Sequence, residues 1–127
     1  MSDYKPTDSE LDILQILWKE GEVTVRRVNE LQNAAAPAHE MGYTTTLKMM
    51  QIMHEKGLVT RRAEGKTHYY SAHITQTDTR QTLVNRLAEK AFGGSALSLA
   101  MQALGGKKAS KSELDEIRRF LDTLEAE

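Results

Sequence analysis

The residues best suited to chemistry in this chain are polar and basic side chains in its central third. Three hydroxyls, Thr44-Thr45-Thr46, open a predicted helix that also carries Lys48 and Gln51. A second set lies in a segment with the pattern of a β-hairpin and comprises Arg61, Arg62, Lys66 and His68. A helix that begins in small hydrogen-bonding side chains can place its N-terminus against a phosphate and its first turn against base edges. Both sets therefore indicate recognition of a polyanion and not bond-making chemistry.

The elements that must position these side chains are predicted from caps, periodicity and glycines. A capping box at Thr7-Asp8-Ser9-Glu10 opens a first helix that ends at Gly21. A second helix begins at Thr24 and fades before Pro37, because proline disfavours helical geometry at the residue before it. The third helix runs from about Thr44 to Lys56.

Two strands are predicted after the third helix, Leu58–Arg62 and Thr67–Ala72, with a turn in which Gly65 can take positive φ. The order helix, helix, helix, hairpin is that of a winged helix-turn-helix, in which the third helix enters a groove of duplex DNA. The expected fold class is mainly α with a small antiparallel β wing.

Each of these signals has a second interpretation. Thr44 could be the helix cap instead of a phosphate contact, or serve both roles, and Thr46 is expected in the core. Thr45 and Lys48 lie a helical step apart and are predicted to face the groove. The wing cations could simply protect an exposed strand edge, but beside this helix phosphate contact is the better interpretation. For Arg26 and Arg27, which open the second helix, backbone contact and a solvated face are equally open.

Composition restricts the function further. The formal net charge is −1, yet the segment from Met41 to His73 carries +3 and the remainder −4, so the positive field is concentrated on the third helix and wing. The chain has no cysteine, its four histidines lack ligand spacing, and no catalytic constellation is present. We therefore expect no metal, no cofactor and no enzymatic activity. No apolar run reaches the ~18 residues that a membrane span requires, which predicts a cytoplasmic protein.

The last third predicts a helical dimerisation arm. Amphipathic helices separated by Gly93-Gly94 and Gly105-Gly106 bury little area within their own chain and need a partner, for which a second copy is the simplest choice. The expected domains are a DNA-binding domain over residues 1–73 and an arm over residues 74–127. The predicted dimer contacts are Leu83, Leu87, Phe92, Leu97, Met101, Leu104, Leu114, Ile117 and Leu121.

The order and spacing of these motifs resemble the penicillinase-repressor and methicillin-resistance-repressor family of winged-helix regulators. The resemblance rests on Leu11 to Trp18, Val23 to Val28, Tyr43 to Thr46, Glu55 to Val59 and, in the arm, Phe92-Gly93-Gly94 with Ser98-Leu99. It implies a homodimer that represses transcription from a dyad-symmetric DNA operator. Ile52 stands where many relatives place a basic residue, which implies a different operator preference.

The resemblance also implies relief of repression when a sensor protease signals cleavage in the arm. The cut in the best-known members falls between an Asn and a Phe, and the corresponding pair here is Gln102-Ala103. The copper-sensing branch of the family carries a C-terminal cysteine cluster, which this chain lacks. The alternative function from another class is a winged-helix protein-interaction module that does not bind DNA specifically.

Overall fold

The computed structural model describes residues 5–127, and within them it has six α-helices and one small antiparallel sheet. The elements are α1 (Asp8–Glu20), β1 (Val23–Thr24), α2 (Val25–Ala35), α3 (Tyr43–Lys56), β2 (Val59–Glu64), β3 (Thr67–Ala72), α4 (Gln76–Ala91), α5 (Ala96–Gly106) and α6 (Lys111–Glu125). A 3-10 turn, Pro37–His39, lies between α2 and α3. The predicted fold class, mainly α with a β wing, is confirmed.

The predicted helix boundaries follow the caps. Thr7 and Glu10 form the capping box of α1, with the Glu10 amide donating to Thr7 Oγ1 at 3.2 Å and the Thr7 amide donating to Glu10 Oε1 at 2.9 Å. The helix ends at Gly21, whose φ of 82° suits glycine. Thr24 caps α2 by accepting from the Arg27 amide at 3.2 Å.

The chain forms two compact units, one that ends at Thr82 and one over Leu83–Glu127. We call them the head unit and the arm unit. The boundary predicted after His73 falls inside the head unit, because the next residue, Ile74, belongs to the core and its carbonyl accepts a hydrogen bond from Trp18 Nε1 at 3.0 Å.

One hydrophobic core holds the head unit together. It is formed where the apolar stripes of α1, α2 and α3 meet each other and the sheet. Its members are Ile13, Leu14, Leu17, Val25, Val28, Met50, Met53, Leu58, Val59, Tyr70 and Ile74. Trp18 is half-buried and packs against this cluster.

An ion pair joins the start of α1 to the end of α3. Lys56 Nζ lies 2.7 Å from Oε2 of Glu10, whose side chain is only 5% exposed. Burial alone would raise the pKa of Glu10, but hydrogen bonds from Lys56 and from Thr7 outweigh it, and the pKa lies below its ordinary value.

The sheet has the order β1-β3-β2, and β1 was missed in the sequence. Val23 pairs with Tyr70 and Thr24 with Tyr69, and two residues are too short to show a strand periodicity. The prediction that β2 ends at Arg62 was also wrong: β2 continues to Glu64, because Ala63 and Glu64 still pair with β3. The turn is thus reduced to Gly65-Lys66, and Gly65 takes the expected positive φ of 62°.

The arm unit contains short capped helices. Ser95 caps α5, and Ser110 with Glu113 forms the capping box of α6. Gly93-Gly94 precedes α5, with both glycines at positive φ, whereas Gly105-Gly106 were expected to break the helix and are instead its last two residues. No helix in the described part of the chain is long and apolar enough to cross a membrane.

Candidate nucleic-acid interface

Helix α3 begins one residue earlier than expected, at Tyr43, and Gly42 is its cap residue without a side-chain hydrogen bond. The hypothesis that Thr44 caps the helix is therefore wrong, since the first turn already contains it. The first backbone bond of α3 runs from the Thr46 amide to the Gly42 carbonyl at 3.3 Å. Thr44 and Thr45 are both exposed, which leaves their hydroxyls on the surface of the first turn.

A network of amide side chains on α2 fixes where α3 starts. Asn29 Nδ2 donates to Thr46 Oγ1 at 3.0 Å and to the Met41 carbonyl at 2.9 Å. Asn33 pairs with both backbone groups of Met41, and Thr46 Oγ1 donates to Gln32 Oε1 at 2.8 Å. Sequence reasoning missed this network, although three amides at positions 29, 32 and 33 on one face of a helix were a usable signal.

Helix α3 presents three distinct faces. The core face is Thr46, Met50 and Met53, all fully buried, and the burial of Thr46 agrees with the sequence prediction. The face toward the wing carries Tyr43, Leu47 and Gln51, and the remaining exposed face carries Thr44, Thr45, Lys48, Met49 and Ile52. The predicted contact residues Thr44, Thr45, Lys48 and Gln51 are all exposed on the two faces outside the core.

The wing cations lie on opposite faces of the hairpin. Arg61 pairs in register with Tyr70, whereas Arg62 pairs with Tyr69, so the two neighbours point to different sides of the sheet. Tyr70 is buried and Tyr69 is half-buried, because side chains alternate between the two faces of a strand. All four predicted wing residues, Arg61, Arg62, Lys66 and His68, are exposed.

Arg62 is held by partners within the head unit. Its guanidinium donates to Glu22 at 2.9 and 3.1 Å and to Glu64 at 2.8 Å, and it stacks over the Tyr69 ring at 4.8 Å. The hydrogen bond from Arg62 lowers the pKa of Glu22, and the two carboxylates raise the pKa of Arg62. Among the described residues, Arg61 and Lys66 have no acidic partner, so their charges are uncompensated.

A groove of about 540 Å³ separates α3 from the wing. None of its lining residues is acidic; they are Thr24, Val25, Arg26, Tyr43, Leu47, Gln51, Lys66, Thr67, His68 and Tyr70. Arg26 stacks over the Tyr43 ring at 5.2 Å, which brings the start of α2 beside the start of α3. The groove joins helix and wing into one cationic surface suited to a phosphate backbone.

Tyr70 contributes an unusual polar atom beside this groove. Its side chain is fully buried, and its hydroxyl has no hydrogen-bond partner among the described residues. A buried hydroxyl without a partner lowers stability, since water would otherwise solvate it.

The arm unit exposes the apolar side chains that the sequence assigned to dimer contacts. No residue of α5 or α6 is buried. Leu97 is 73% exposed and Met101 is 64% exposed; Leu87, Leu104, Leu114 and Leu121 are also exposed, and Leu83, Phe92 and Ile117 are half-buried. Phe120, which the dimer prediction omitted, is 60% exposed.

The predicted cleavage pair, Gln102-Ala103, is exposed but helical, because both residues lie within α5. A protease acts on a helical bond only after that stretch opens locally.

Comparison with known proteins agrees with this arrangement. The model of the penicillinase repressor family matches residues 6–123. A penicillinase repressor of Staphylococcus aureus is 21% identical over 116 residues, which is 91% of this chain and 90% of the relative. The transcriptional regulator BlaI of Mycobacterium tuberculosis is 28% identical over 121 residues, which is 94% of this chain and 84% of the relative.

Solved structures share the fold. The DNA-binding domain of the repressor BlaI superposes with a TM-score of 0.52 at 19% identity, covering 61% of this chain and 90% of that domain. A MarR family protein from Bacillus stearothermophilus superposes with a TM-score of 0.53 at 20% identity, covering 98% of this chain and 76% of that one. The family match over nearly the whole chain decides the classification: this protein belongs to the penicillinase repressor family.

Proposed function

We propose that this protein is a DNA-binding transcriptional repressor that acts as a homodimer on a dyad-symmetric operator. The observation that carries the proposal is the continuous surface formed by α3 and the cationic groove. Helix α3 offers exposed polar side chains to base edges, while the groove beside it has cations and no carboxylate among its lining residues. The relatives' names, penicillinase repressor and transcriptional regulator, support the same role.

The proposed contacts differ in kind. Thr44, Thr45, Lys48 and Gln51 read bases in the major groove, and Arg61, Lys66 and His68 bind phosphates along the adjacent backbone. Arg62 is proposed to act mainly by holding the wing in place, because Glu22 and Glu64 already compensate its charge.

Binding to duplex DNA at increasing salt concentration tests this proposal. Three cations outside the proposed base contacts, Arg26, Arg61 and Lys66, have no acidic partner among the described residues, and at about −0.9 per phosphate contact they would give a log-log slope of roughly −3 for each head. A slope near zero, or equal binding to every duplex sequence, would instead favour the protein-interaction module.

Dimerisation is proposed to occur through the arm unit. Two helices without a single buried residue, carrying leucines, a methionine and a phenylalanine, expose apolar area that a second copy would cover. Two heads joined in this way bind two half-sites, and the second binding event benefits from a high effective concentration. Sedimentation at micromolar concentration would yield a dimer, and replacing Leu97 and Met101 by Glu would yield a monomer with an intact head.

Relief of repression by proteolysis is proposed to require opening of α5 before Gln102-Ala103 is cut. Incubating the DNA-free and DNA-bound protein with a sequence-tolerant protease tests whether α5 is the first site of cleavage. An arm that is resistant in both states would count against this route.

A further inference from the structure

The face of α3 that points away from the wing groove carries an apolar depression of about 280 Å³. Apolar atoms form nearly all of its lining, which is contributed by Thr44, Thr45, Lys48, Met49 and Ile52. Positions 45, 48, 49 and 52 recur at helical spacing, so they form a single stripe. Ile52 is 39% exposed although it occupies the middle of a helix that has its own, separate buried stripe.

Of the apolar side chains at this depression, Met49 also packs against the core, whereas Ile52 is not part of the core cluster. The buried stripe of α3, Thr46, Met50 and Met53, is separate from Ile52. The depression is too small to bind a protein segment on its apolar area alone, but it is large enough for a single methyl group. Three residues that line the depression, Thr44, Thr45 and Lys48, are also proposed base contacts, so the depression is part of the proposed DNA surface.

The major groove offers one apolar group on its base edges, the 5-methyl group of thymine. We propose that the depression on α3 is a thymine-reading site, in which a thymine methyl of each half-site packs against Thr45, Met49 and Ile52. Lys48, at the margin, is then placed to bind O6 or N7 of a neighbouring guanine. This inference rests on the proposed function, since it requires that α3 enters the major groove.

The charge around the depression favours binding of a DNA duplex over binding of a protein. Lys48 lines the depression itself, Arg26 and Lys66 line the wing groove, and neither surface has a carboxylate among its lining residues. An apolar protein partner would have to bury these charges without compensation, whereas a duplex neutralises them with phosphates.

The test uses the full-length protein and a duplex chosen by selection of bound fragments. Each thymine of the half-site is replaced in turn by deoxyuridine, at symmetric positions, which removes only the methyl group and keeps base pairing. We expect one position at which the substitution weakens binding by about fourfold for each methyl lost, the amount expected for one buried carbon. The other thymine positions should change by less than twofold.

Protein variants link that methyl to the depression. Ile52→Ala should weaken binding to the thymine duplex and should no longer distinguish thymine from uracil at the sensitive position. Gln51→Ala is the matched control: it lies on the wing-side face, so it should weaken binding while keeping the full uracil penalty. Circular dichroism confirms that both variants are folded, and Ile52→Val should keep most of the discrimination.

The failures are distinguishable. If the protein selects a specific duplex but no uracil substitution has an effect, or if Ile52→Ala keeps the full uracil penalty, the thymine site is wrong and the repressor function stands. If no duplex is bound specifically, both proposals are wrong. Binding of a protein partner that Ile52→Ala abolishes, without any uracil effect, would assign the depression to protein docking.

Discussion

Arg61 and Arg62 are neighbours in β2, yet their guanidinium groups have different surroundings. Arg62 is bound by Glu22 and Glu64 and stacks on Tyr69, while Arg61 has no acidic partner among the described residues. Attraction to a phosphate depends on the local net charge, so the two arginines are expected to act differently despite adjacent positions.

Replacing Arg61 by Ala should weaken binding to all duplexes alike and reduce the magnitude of the salt slope by about 0.9 per head. Replacing Arg62 by Ala should change the slope less, since Glu22 and Glu64 already neutralise that arginine. Binding isotherms at four salt concentrations measure both slopes, with Glu22→Gln as the control that releases Arg62 from one partner. A larger slope change for Arg62→Ala would reverse these roles.

Replacing Tyr70 tests whether its buried hydroxyl lowers the stability of the head unit. Phenylalanine at position 70 removes a buried hydroxyl that has no partner and retains the ring that packs in the core. We expect the free energy of unfolding to rise by about 1 kcal/mol, the lower end of the cost of a buried unpaired polar group. Urea unfolding measures the change, and a loss of more than that amount would show that the hydroxyl is bonded in solution.

The burial of single residues could be predicted from the sequence, but their long-range partners could not. Exposure of the wing cations and burial of Thr46 follow from periodicity, and both are found. The partners of Arg62 could not be predicted, because Glu22 is 40 residues distant along the chain and is brought near by the pairing of β1 with β3. Contacts of this range depend on the folded topology and leave no local pattern.

At the scale of elements, the angle between α2 and α3 is held by polar bonds as well as by packing. Asn29, Asn33 and Gln32 reach from α2 to Met41 and Thr46. The sequence predicted both helices from their periodicity, but it did not reveal what fixes the start of α3. A network of amide side chains does not recur at a regular spacing along the chain. A prediction based on the spacing of apolar residues therefore does not detect it.

Thr46→Val tests this network with little change in shape. The valine retains the buried volume but leaves the amides of Asn29 and Gln32 without their bonds to the hydroxyl. The free energy of unfolding should fall by about 1–3 kcal/mol, the cost of buried polar groups that lose a partner. Thr45→Val, at an exposed position of the same turn, is the control and should have almost no effect on unfolding.

Because of the Glu10–Lys56 ion pair, we expect the free energy of unfolding to depend on pH. The pKa of Glu10 is lower in the folded protein than in the unfolded chain. The Glu10 carboxylate therefore stabilises the folded state at pH values above the unfolded pKa, which is about 4.3. This stabilisation is lost as the pH falls through the pKa of the folded state. Glu10→Gln should be less stable than the parent at pH 7, and the difference should shrink below pH 4. Urea unfolding of both proteins over that range measures it; a difference independent of pH would contradict the assignment.

In the proposed function, recognition belongs to the head unit and assembly to the arm unit. The head unit contains the core and the cationic surface, and the arm unit contains the exposed apolar helices. The sequence predicted an arm from residue 74 onward, but a pattern of apolar residues does not reveal that Ile74 belongs to the core, since this residue lies outside any long stripe.

Truncation distinguishes the boundary predicted after His73 from the boundary of the head unit at Thr82. A chain that ends at Thr82 should remain folded and monomeric, and should bind the operator about 100-fold more weakly than the full chain, because the gain from a tethered second head is lost. A chain that ends at His73 should also unfold more easily, since it lacks Ile74 and the acceptor for Trp18. Gel shift, sedimentation and thermal unfolding measure the three properties, and equal affinity of the truncated and full chains would refute the role of the arm.

The two glycines that end α5 have a consequence for how the repressor population behaves in a growing cell. An isolated helix of 11 residues is marginal in water, and glycine has a lower helix propensity than alanine, although an added Cβ would meet no atom at either position. If a second copy supplies the missing stability, the tail of a scarce repressor frays and is degraded, while that of an abundant one survives. A high concentration of the protein would then lengthen its own half-life. The double substitution Gly105→Ala and Gly106→Ala would make the half-life depend less on expression level.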